Sequence, residues 1–259
     1  MHKTHRITEI TSREFGAYVN GGGDLVFIPA ASPERLGPHL PVGARAIVAE
    51  VIADKLAEEH GGLSLPLIPY TAVYDDFNGR GSMDIDISLM HRYFTDLCDE
   101  LVANKIRRIV FVSFHPELYY LINEYFQSKN IAVAWLSPDR FQPKSRLDRH
   151  GYELWRLIAC LNLAGNHEMI DKILEKTRKY AGLTPPENKQ RDILAMFGGT
   201  GYKMQDGEWR FYPVDLGSLG DIDAAARELD GWLKSLAEPL AGLAEYQDYL
   251  DANPFSREF

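Results

Sequence analysis

The side chains best suited to chemistry fall in two short segments. Glu34, His39 and Arg45 lie in a stretch rich in glycine and proline, and His115 and Glu117 lie further along the chain, two residues apart. Carboxylates and imidazoles can ligate a metal ion or transfer a proton, and a guanidinium can hold an anion. On spacing alone the pair of His115 and Glu117 is a weak signal, because such pairs are more often structural or solvated.

Both segments follow predicted buried strands. The apolar run Leu25 to Ile28 precedes the first segment, a helical pattern from Ala46 to His60 follows it, and the apolar run Ile109 to Val112 leads to the second segment. Continuous apolar strands are typical of a parallel sheet that is covered on both faces. Ligands of such sheets collect just outside the carboxyl ends of the strands, which is where both segments begin.

The order of the predicted elements is β-α-β-α-β-α-β. This order indicates one doubly wound α/β domain over residues 1–259, a three-layer α-β-α sandwich with a mostly parallel sheet. The strand-like run Leu63 to Tyr70 contains Pro66 and Pro69, so it is expected to be short or at an edge. A hairpin is predicted near Asp206, and residues 251–259 are expected to form a loosely ordered tail. The remaining predictions are helices over residues 10–20, 87–104, 118–129, 154–164, 167–180 and 222–243, and a strand over 131–136.

The composition excludes several classes of partner. The chain has 259 residues, enough for a substantial core, and its formal net charge of -9 argues against nucleic-acid and anionic-membrane partners, which need basic patches. No apolar run is long enough to predict a transmembrane helix, and no apolar stretch of a signal peptide follows the N-terminus. Cys98 and Cys160 lie far apart in predicted helices and are expected to be reduced, which favours a cytoplasmic protein.

The first segment resembles a signature of the creatininase (creatinine amidohydrolase) family, E-x-H-G-x-H-L-P-x-x-x-D, which lies between the same kinds of element. Two positions depart from it, since Leu36 stands at the first His of the pattern and Arg45 stands at the Asp. Both of those family residues bind metal. Five residues fit the pattern: Glu34, Gly37, His39, Leu40 and Pro41.

Further motifs extend the resemblance over residues 10–136 and again over 218–243. His115 and Glu117 match the H-x-E of the family's N-G-H-x-E-N, without its flanking Asn and Gly residues. Gly81-Ser82 stands where the family has Gly-Thr, and Gly220-Asp221 resembles a G-D-P motif. A remnant of H-A-G-x-x-E-T-S is found at residues 163–170, where Glu168 matches the family Glu.

The resemblance implies an amide hydrolase whose metal site has lost part of its ligands. Family members use two divalent metals to hydrolyse an amide, often a cyclic one. Carried over to this chain, Glu34, His115 and Glu117 are residual ligand positions, whereas Arg45 cannot ligate a cation because its guanidinium stays protonated. If Arg45 points into the site, it replaces a metal and pairs with the two carboxylates; if it points out, at most one zinc or manganese ion per chain can bind. A lost or weakened site is the favoured alternative.

The catalytic prediction comprises Glu34, Arg45, His115 and Glu117, with Glu117 or His115 as general base and Arg45 as substrate anchor or oxyanion stabiliser. The substrate is predicted to be a small molecule, and the family's assemblies imply a homo-oligomer, possibly a hexamer. The alternative is a metal-free protein with non-hydrolytic biosynthetic chemistry, or a binding or scaffold protein without turnover. Predicted substrate-binding residues are His39, Tyr74, Asp75, Asp76 and Glu168, with a structural role for His39 and a solvated turn at 74–76 as the alternatives.

Overall fold

Four parallel strands form the sheet in the computed structural model, which describes residues 4–72, 81–115, 118–119, 122, 130–144, 151–181, 216 and 219–254. β2 has only two residues and lies at the edge of the described sheet, as predicted from the prolines that follow it. The strands are β1 (Leu25–Pro29), β2 (Leu63–Ser64), β3 (Arg108–Val112) and β4 (Ala132–Leu136), in the order β2-β1-β3-β4.

Local signals in the sequence set the ends of several helices. Thr11 caps the first helix with a capping box, in which its side chain accepts from the Glu14 amide while the Glu14 carboxylate accepts from the Thr11 amide. The second helix ends at Gly61, whose φ of 75° lies in the left-handed region that favours glycine. The helices that lie wholly within the described residues are α1 (Ser12–Asn20), α2 (Ala44–His60), α3 (Ile87–Ala103), α4 (Tyr152–Leu163), α5 (His167–Tyr180), α6 (Ile222–Ser235) and α7 (Ala237–Ala252).

The side chains of β1 alternate between two apolar cores. Leu25 and Phe27 belong to the core that α2, α4 and α6 cover, and Val26 and Ile28 belong to the core that α3 covers on the opposite face. All five residues of β1 are buried, because helices cover the sheet on both sides. The predicted three-layer α/β architecture is therefore confirmed.

The chain changes direction across the sheet between β1 and β3. From β1 it passes through α2 to β2 on one side, and it then returns through α3 to β3 on the other side of β1. The two crossover helices lie on opposite faces, so a crevice opens between the loops that follow β1 and β3. A switch point of this kind is the usual place for a ligand site in an open α/β sheet.

The C-terminal part of the chain differs from the prediction. The single helix predicted over 222–243 is wrong, because two helices, α6 and α7, meet at Leu236. Pro239 explains the break, since its ring would clash with the carbonyl of Ser235 in a continuous helix but is tolerated in the first turn of a new one. A loosely ordered tail was predicted over 251–259. At its start α7 continues to Ala252 and the Asp251 carboxylate pairs with Arg107, and for residues 255–259, outside the described part of the chain, the tail stays a prediction.

Part of the predicted structure lies outside the residues that the structure describes. Two other predictions concern membrane-spanning helices and the cysteines. The hairpin near Asp206, most of the helix predicted over 118–129 and residues 255–259 lie outside the described part of the chain. None of the helices that the structure describes has both the length and the apolar content needed to cross a bilayer. Cys98 and Cys160 are buried free thiols, and burial raises the pKa of Cys98 to about 12.

Candidate active site at the carboxyl edge of the sheet

Glu34 and His115 flank the switch point of the sheet. Glu34 lies in the loop after β1, and His115 lies in the loop after the neighbouring strand β3. The Glu34 loop is held by backbone hydrogen bonds, from the Glu34 amide to the Val42 carbonyl (2.8 Å) and from the Met83 amide to the Pro33 carbonyl (3.0 Å). Both side chains are buried and they meet directly, as the predicted edge position requires.

A glycine allows the turn within this loop. Gly37 has a φ of 120°, which a residue with a Cβ atom rarely adopts. The amide of Arg35 donates to the Ser82 hydroxyl at 2.9 Å, so the Gly81-Ser82 segment braces the loop from outside. These local contacts explain what the glycine-containing segment does in the structure: they hold the loop that places Glu34.

The carboxylate of Glu34 has no exposed surface and lies at the centre of a cluster of buried polar side chains. The members of this cluster are Ser32, Glu34, Arg45, Thr71, His115 and Glu153. The Nε2 atom of His115 lies 2.8 Å from its Oε1 atom. Arg45 donates from Nη1 to Oε2 at 2.9 Å and to Oε1 at 3.2 Å. Both oxygens of the carboxylate therefore accept hydrogen bonds from a cationic or imidazole donor, which is the compensation that a buried charge requires.

Arg45 points into the site from the first turn of α2. Its Nη2 atom donates to Glu153 Oε1 at 3.0 Å, and its guanidinium carbon lies 4.9 Å from the centre of the Phe114 ring. Burial, the largest influence, would lower the pKa of the guanidinium, but the carboxylates of Glu153 and Glu34 outweigh it and the pKa is raised. The positive charge is thus permanent, although the start of a helix is electrostatically unfavourable for a cation.

Glu153 links the cluster to a second arginine. Glu153 lies in the first turn of α4 and is buried, with Arg45 on one side and Arg156 Nη1 at 3.7 Å on the other. Arg156 in turn pairs with the half-exposed carboxylate of Asp139 at 2.8 Å and donates from Nε to the Phe141 carbonyl at 3.0 Å. A chain of alternating charges therefore runs from the switch point towards the surface.

His115 is held through both ring nitrogens. Nδ1 contacts the hydroxyl of Thr71, which lies after β2, and Nε2 contacts Glu34. Because a carboxylate can only accept, the neutral ring carries its proton on Nε2 and accepts at Nδ1 from the Thr71 hydroxyl. Ser32 completes the arrangement, since its hydroxyl accepts from the Thr71 amide at 2.7 Å and donates to the Thr71 carbonyl at 2.9 Å.

His39 is buried but is held differently. Its Nδ1 atom has no hydrogen-bond partner among the described residues. Burial lowers the pKa of His39 to about 4, so the ring is neutral at neutral pH. Substrate binding and a structural role therefore both stay predictions for His39.

The other predicted site residues are placed as follows. Leu36, which the resemblance aligned with a metal ligand, is packed into the core beside α2. Glu168 is exposed near the start of α5 and pairs with Lys172 at 2.6 Å, so the structure does not bring it to the cluster. Glu117, Tyr74, Asp75 and Asp76 lie outside the described residues.

The residues that the structure describes do not fit a divalent metal. No group of three or more His, Cys, Asp or Glu side chains among them is arranged to hold one. Glu34 and His115 hydrogen-bond to each other, and both oxygens of Glu34 contact the Arg45 guanidinium. A divalent ion at this place would lie against a cation that stays protonated, so the described donor set suits the guanidinium instead.

Three residues of the cluster were missed by sequence reasoning. Thr71 and Ser32 follow β2 and β1, so the rule that site residues collect after parallel strands was a signal that pointed to them. Glu153 gave no such signal, because an acidic residue in the first turn of a helix is ordinary. Its contact with Arg45 depends on how α4 packs against α2.

The chain is similar to known proteins along much of its length. A family model described as Creatininase: Creatinine amidohydrolase matches residues 8–182, more than half of the chain. A protein described as creatinine amidohydrolase from Pseudomonas putida is 24% identical over 122 residues, which cover 45% of this chain and 47% of that protein. The chain thus spans about half the length of this curated relative.

Solved structures with the same fold cover nearly the whole chain. A crystal structure of creatinine amidohydrolase (creatininase) has a TM-score of 0.58 at 18% identity and covers 96% of this chain and 97% of its own. A structure described as creatininase Mn gives 0.57 at 17% identity, with 97% and 100% covered. A putative creatinine amidohydrolase from Bacteroides fragilis gives 0.54 at 17% identity, with 95% and 97% covered. At these identities the likeness establishes the fold.

Proposed function

Because the chain belongs to the creatininase family, we propose that it hydrolyses the C–N bond of a small amide or cyclic amide at the edge formed by Glu34 and His115. The observation that carries the proposal is the 2.8 Å contact between His115 Nε2 and Glu34 Oε1, buried at the switch point beside a permanent cation. A carboxylate and an imidazole in this position are suited to proton transfer, and the adjacent cation is suited to a developing negative charge.

Each residue would have a distinct role in this reaction. Glu34 orients the His115 ring, which would accept the proton of an attacking water and return it to the leaving nitrogen, after exchanging its contact with Thr71 for one with the water. Glu117 is the alternative base. Arg45 would bind the carbonyl oxygen or a substrate carboxylate, and its buried Nε atom, which has no partner among the described residues, supports this role.

We further propose that the metal centre of the family is reduced here. The contacts of Arg45 with both oxygens of Glu34 support a site in which the guanidinium occupies the place of one cation. Leu36 supports the same proposal, because the side chain at this family ligand position is apolar and packed in the core. With these departures from the family pattern, a substrate other than creatinine is the better candidate.

The test is an assay of turnover on a panel of creatinine, hydantoins, lactams and formamides, with products identified by mass spectrometry. We expect at least one cyclic amide to be opened, and Glu34→Gln to lower kcat/KM by about a hundredfold or more. Glu168→Gln is the matched control, because this exposed carboxylate pairs with Lys172 on the surface of α5 and its substitution should leave the rate unchanged. Absence of turnover, or turnover that Glu34→Gln does not affect, would contradict the proposal.

A binding or non-hydrolytic role is the second candidate function. The observation that favours it is that the buried Arg45 guanidinium already forms ion pairs with two buried carboxylates, those of Glu34 and Glu153. Groups that already satisfy each other resemble a structural network more than an open reactive site. Failure to hydrolyse any member of the panel, together with binding of a cyclic amide seen by calorimetry, would support this candidate.

We also propose that the chain forms a homo-oligomer, possibly a hexamer, with a small molecule as its other partner. Exposed apolar side chains support a contact surface on and beside α3, where Met83, Leu89 and Tyr93 are each about half exposed or more. Light scattering would give the mass in solution. A mass that stays at one chain at micromolar concentration would contradict the proposal.

A further inference from the structure

We infer that Arg45 and Glu153 together form a built-in substitute for a divalent metal, and that Glu153 is the residue that keeps the guanidinium in the cation's place. The inference deepens the proposed function, on which it rests for the assignment of this edge as the reacting site. Its test reads metal binding rather than turnover, so the two proposals can fail separately.

The first argument is the balance of charge in the buried cluster. Glu34 and Glu153 carry negative charges, Arg45 and Arg156 carry positive charges, and all four are buried. The formal charges of these four side chains cancel, and the carboxylate of Asp139, which pairs with Arg156, is half exposed. A divalent ion added to this cluster would leave two uncompensated positive charges in a region of low dielectric, which is strongly unfavourable.

The second argument is the geometry of the guanidinium. One end, Nη1, donates to Glu34, and the other end, Nη2, donates to Glu153 at 3.0 Å. The two carboxylates come from the loop after β1 and from α4, so the guanidinium bridges two parts of the fold as a metal ion would. Glu153 is the acceptor that offsets the unfavourable position of Arg45 at the start of α2.

The third argument concerns the side chains around the guanidinium. As they stand, the described side chains form no group of three that could hold a metal. With an aspartate at position 45, however, Glu34, Glu153 and His115 would be part of a set of carboxylates and an imidazole, the donors that bind zinc or manganese. Arg45→Asp changes the local charge by two, which equals the charge of the divalent ion. This single substitution should therefore convert the cluster into a metal site in which Glu153 is a ligand.

The experiment compares metal content after equilibration with zinc or manganese and removal of excess ion, read by plasma mass spectrometry. We expect little or no bound metal in the wild type and in Arg45→Lys, and about one ion per chain in Arg45→Asp. The double variant Arg45→Asp with Glu153→Gln should bind zinc at least about tenfold more weakly than Arg45→Asp, measured by competition with a chromogenic chelator. Arg45→Asp with Glu168→Gln is the matched control and should bind as tightly as Arg45→Asp.

Each result bears on the inference. If the wild type holds one ion per chain as tightly as Arg45→Asp does, the inference is overturned, because the guanidinium then does not exclude a metal ion. Equal zinc affinity with and without Glu153→Gln would overturn the assignment of Glu153. If Arg45→Asp is unfolded without metal, added zinc should restore its circular dichroism spectrum and melting transition, and no recovery with zinc would also overturn the inference.

Discussion

Two carboxylate–cation pairs in this protein have similar geometry and opposite surroundings. Lys172 lies 2.6 Å from Glu168 on the surface of α5, and their side chains are 65% and 81% exposed. Arg45 lies 2.9 Å from Glu34 at the edge of the sheet, and their side chains are 5% and 0% exposed. The shorter contact is the less consequential one, because water and salt already solvate and screen the surface pair.

Burial determines how strongly the protein is affected when one member of an ion pair is removed. A surface lysine can be removed and its carboxylate returns to water. Removal of Arg45 would instead take the guanidinium from the buried Glu34 carboxylate and leave Glu153 with Arg156 at 3.7 Å. The same rule separates two buried histidines, His39 and His115. His115 has a partner at each ring nitrogen, but His39 has none at Nδ1 among the described residues, and its pKa is lowered.

The largest expected effect is that of Arg45→Met. This substitution keeps much of the side-chain length but removes the charge, so it should lower the free energy of unfolding by about 3–5 kcal/mol. Urea denaturation at pH 7 measures the change. Lys172→Met is the surface counterpart and should leave the unfolding midpoint at the wild-type value. Similar urea midpoints for Arg45→Met and Lys172→Met would show that burial does not distinguish the two ion pairs.

The next effect is a loss of stability in acid that depends on His39. Its pKa is about 4 in the folded protein and about 6.5 when unfolded, so its contribution is fully present above pH 6.5 and is lost as the pH falls towards 4. The loss attributable to this ring is about 3 kcal/mol. Urea midpoints for wild type and His39→Gln between pH 7 and pH 4 isolate it, since Gln does not titrate. Parallel pH profiles for the two proteins would refute this account of His39.

A smaller loss of stability is expected when the Thr71 hydroxyl is removed. This change tests the difference between His115, whose Nδ1 atom contacts that hydroxyl, and His39, whose Nδ1 atom has no partner among the described residues. Thr71→Val keeps the shape but removes the hydroxyl at His115 Nδ1, and leaving that buried acceptor unpaired should cost about 1–3 kcal/mol. Thr71→Ser keeps the hydroxyl and tests whether the methyl group matters instead. Equal losses in the two variants, measured by urea denaturation, would assign the effect to packing.

The smallest effect is expected for Glu168→Ala. This carboxylate lies on the solvent face of α5, so the unfolding midpoint and any amidase rate should match those of the wild type. A large loss of activity with an unchanged midpoint would show that Glu168 reaches the reacting site, and it would restore the substrate-binding role predicted from the sequence.

Much of the fold was predictable because its signals are local or periodic. The buried runs of β1 and β3, the capping box at Thr11 and the glycine at the end of α2 each placed an element correctly. The long C-terminal helix was predicted wrongly because the apolar pattern continues through the break at Leu236. Pro239, in the first turn of α7, is the local signal of that break. Periodicity alone does not distinguish one helix from two that meet end to end.

The sequence by itself determined which edge of the sheet carries the candidate site. The order of strands and helices sets the switch point, and the spacing of Glu34 and His115 from β1 and β3 brings both to it. The family signature then singled out Leu36 and Arg45 as departures from its pattern, without showing which way Arg45 points.

Only the tertiary structure decided what Arg45 does there. Its partner Glu153 lies 108 residues away in the chain, and no local pattern encodes a contact at that distance. The pair forms because α4 packs against α2 and excludes water around their first turns. In that dry environment a charge must find an opposite charge, so the packing of two helices, rather than any motif, places a guanidinium between Glu34 and Glu153.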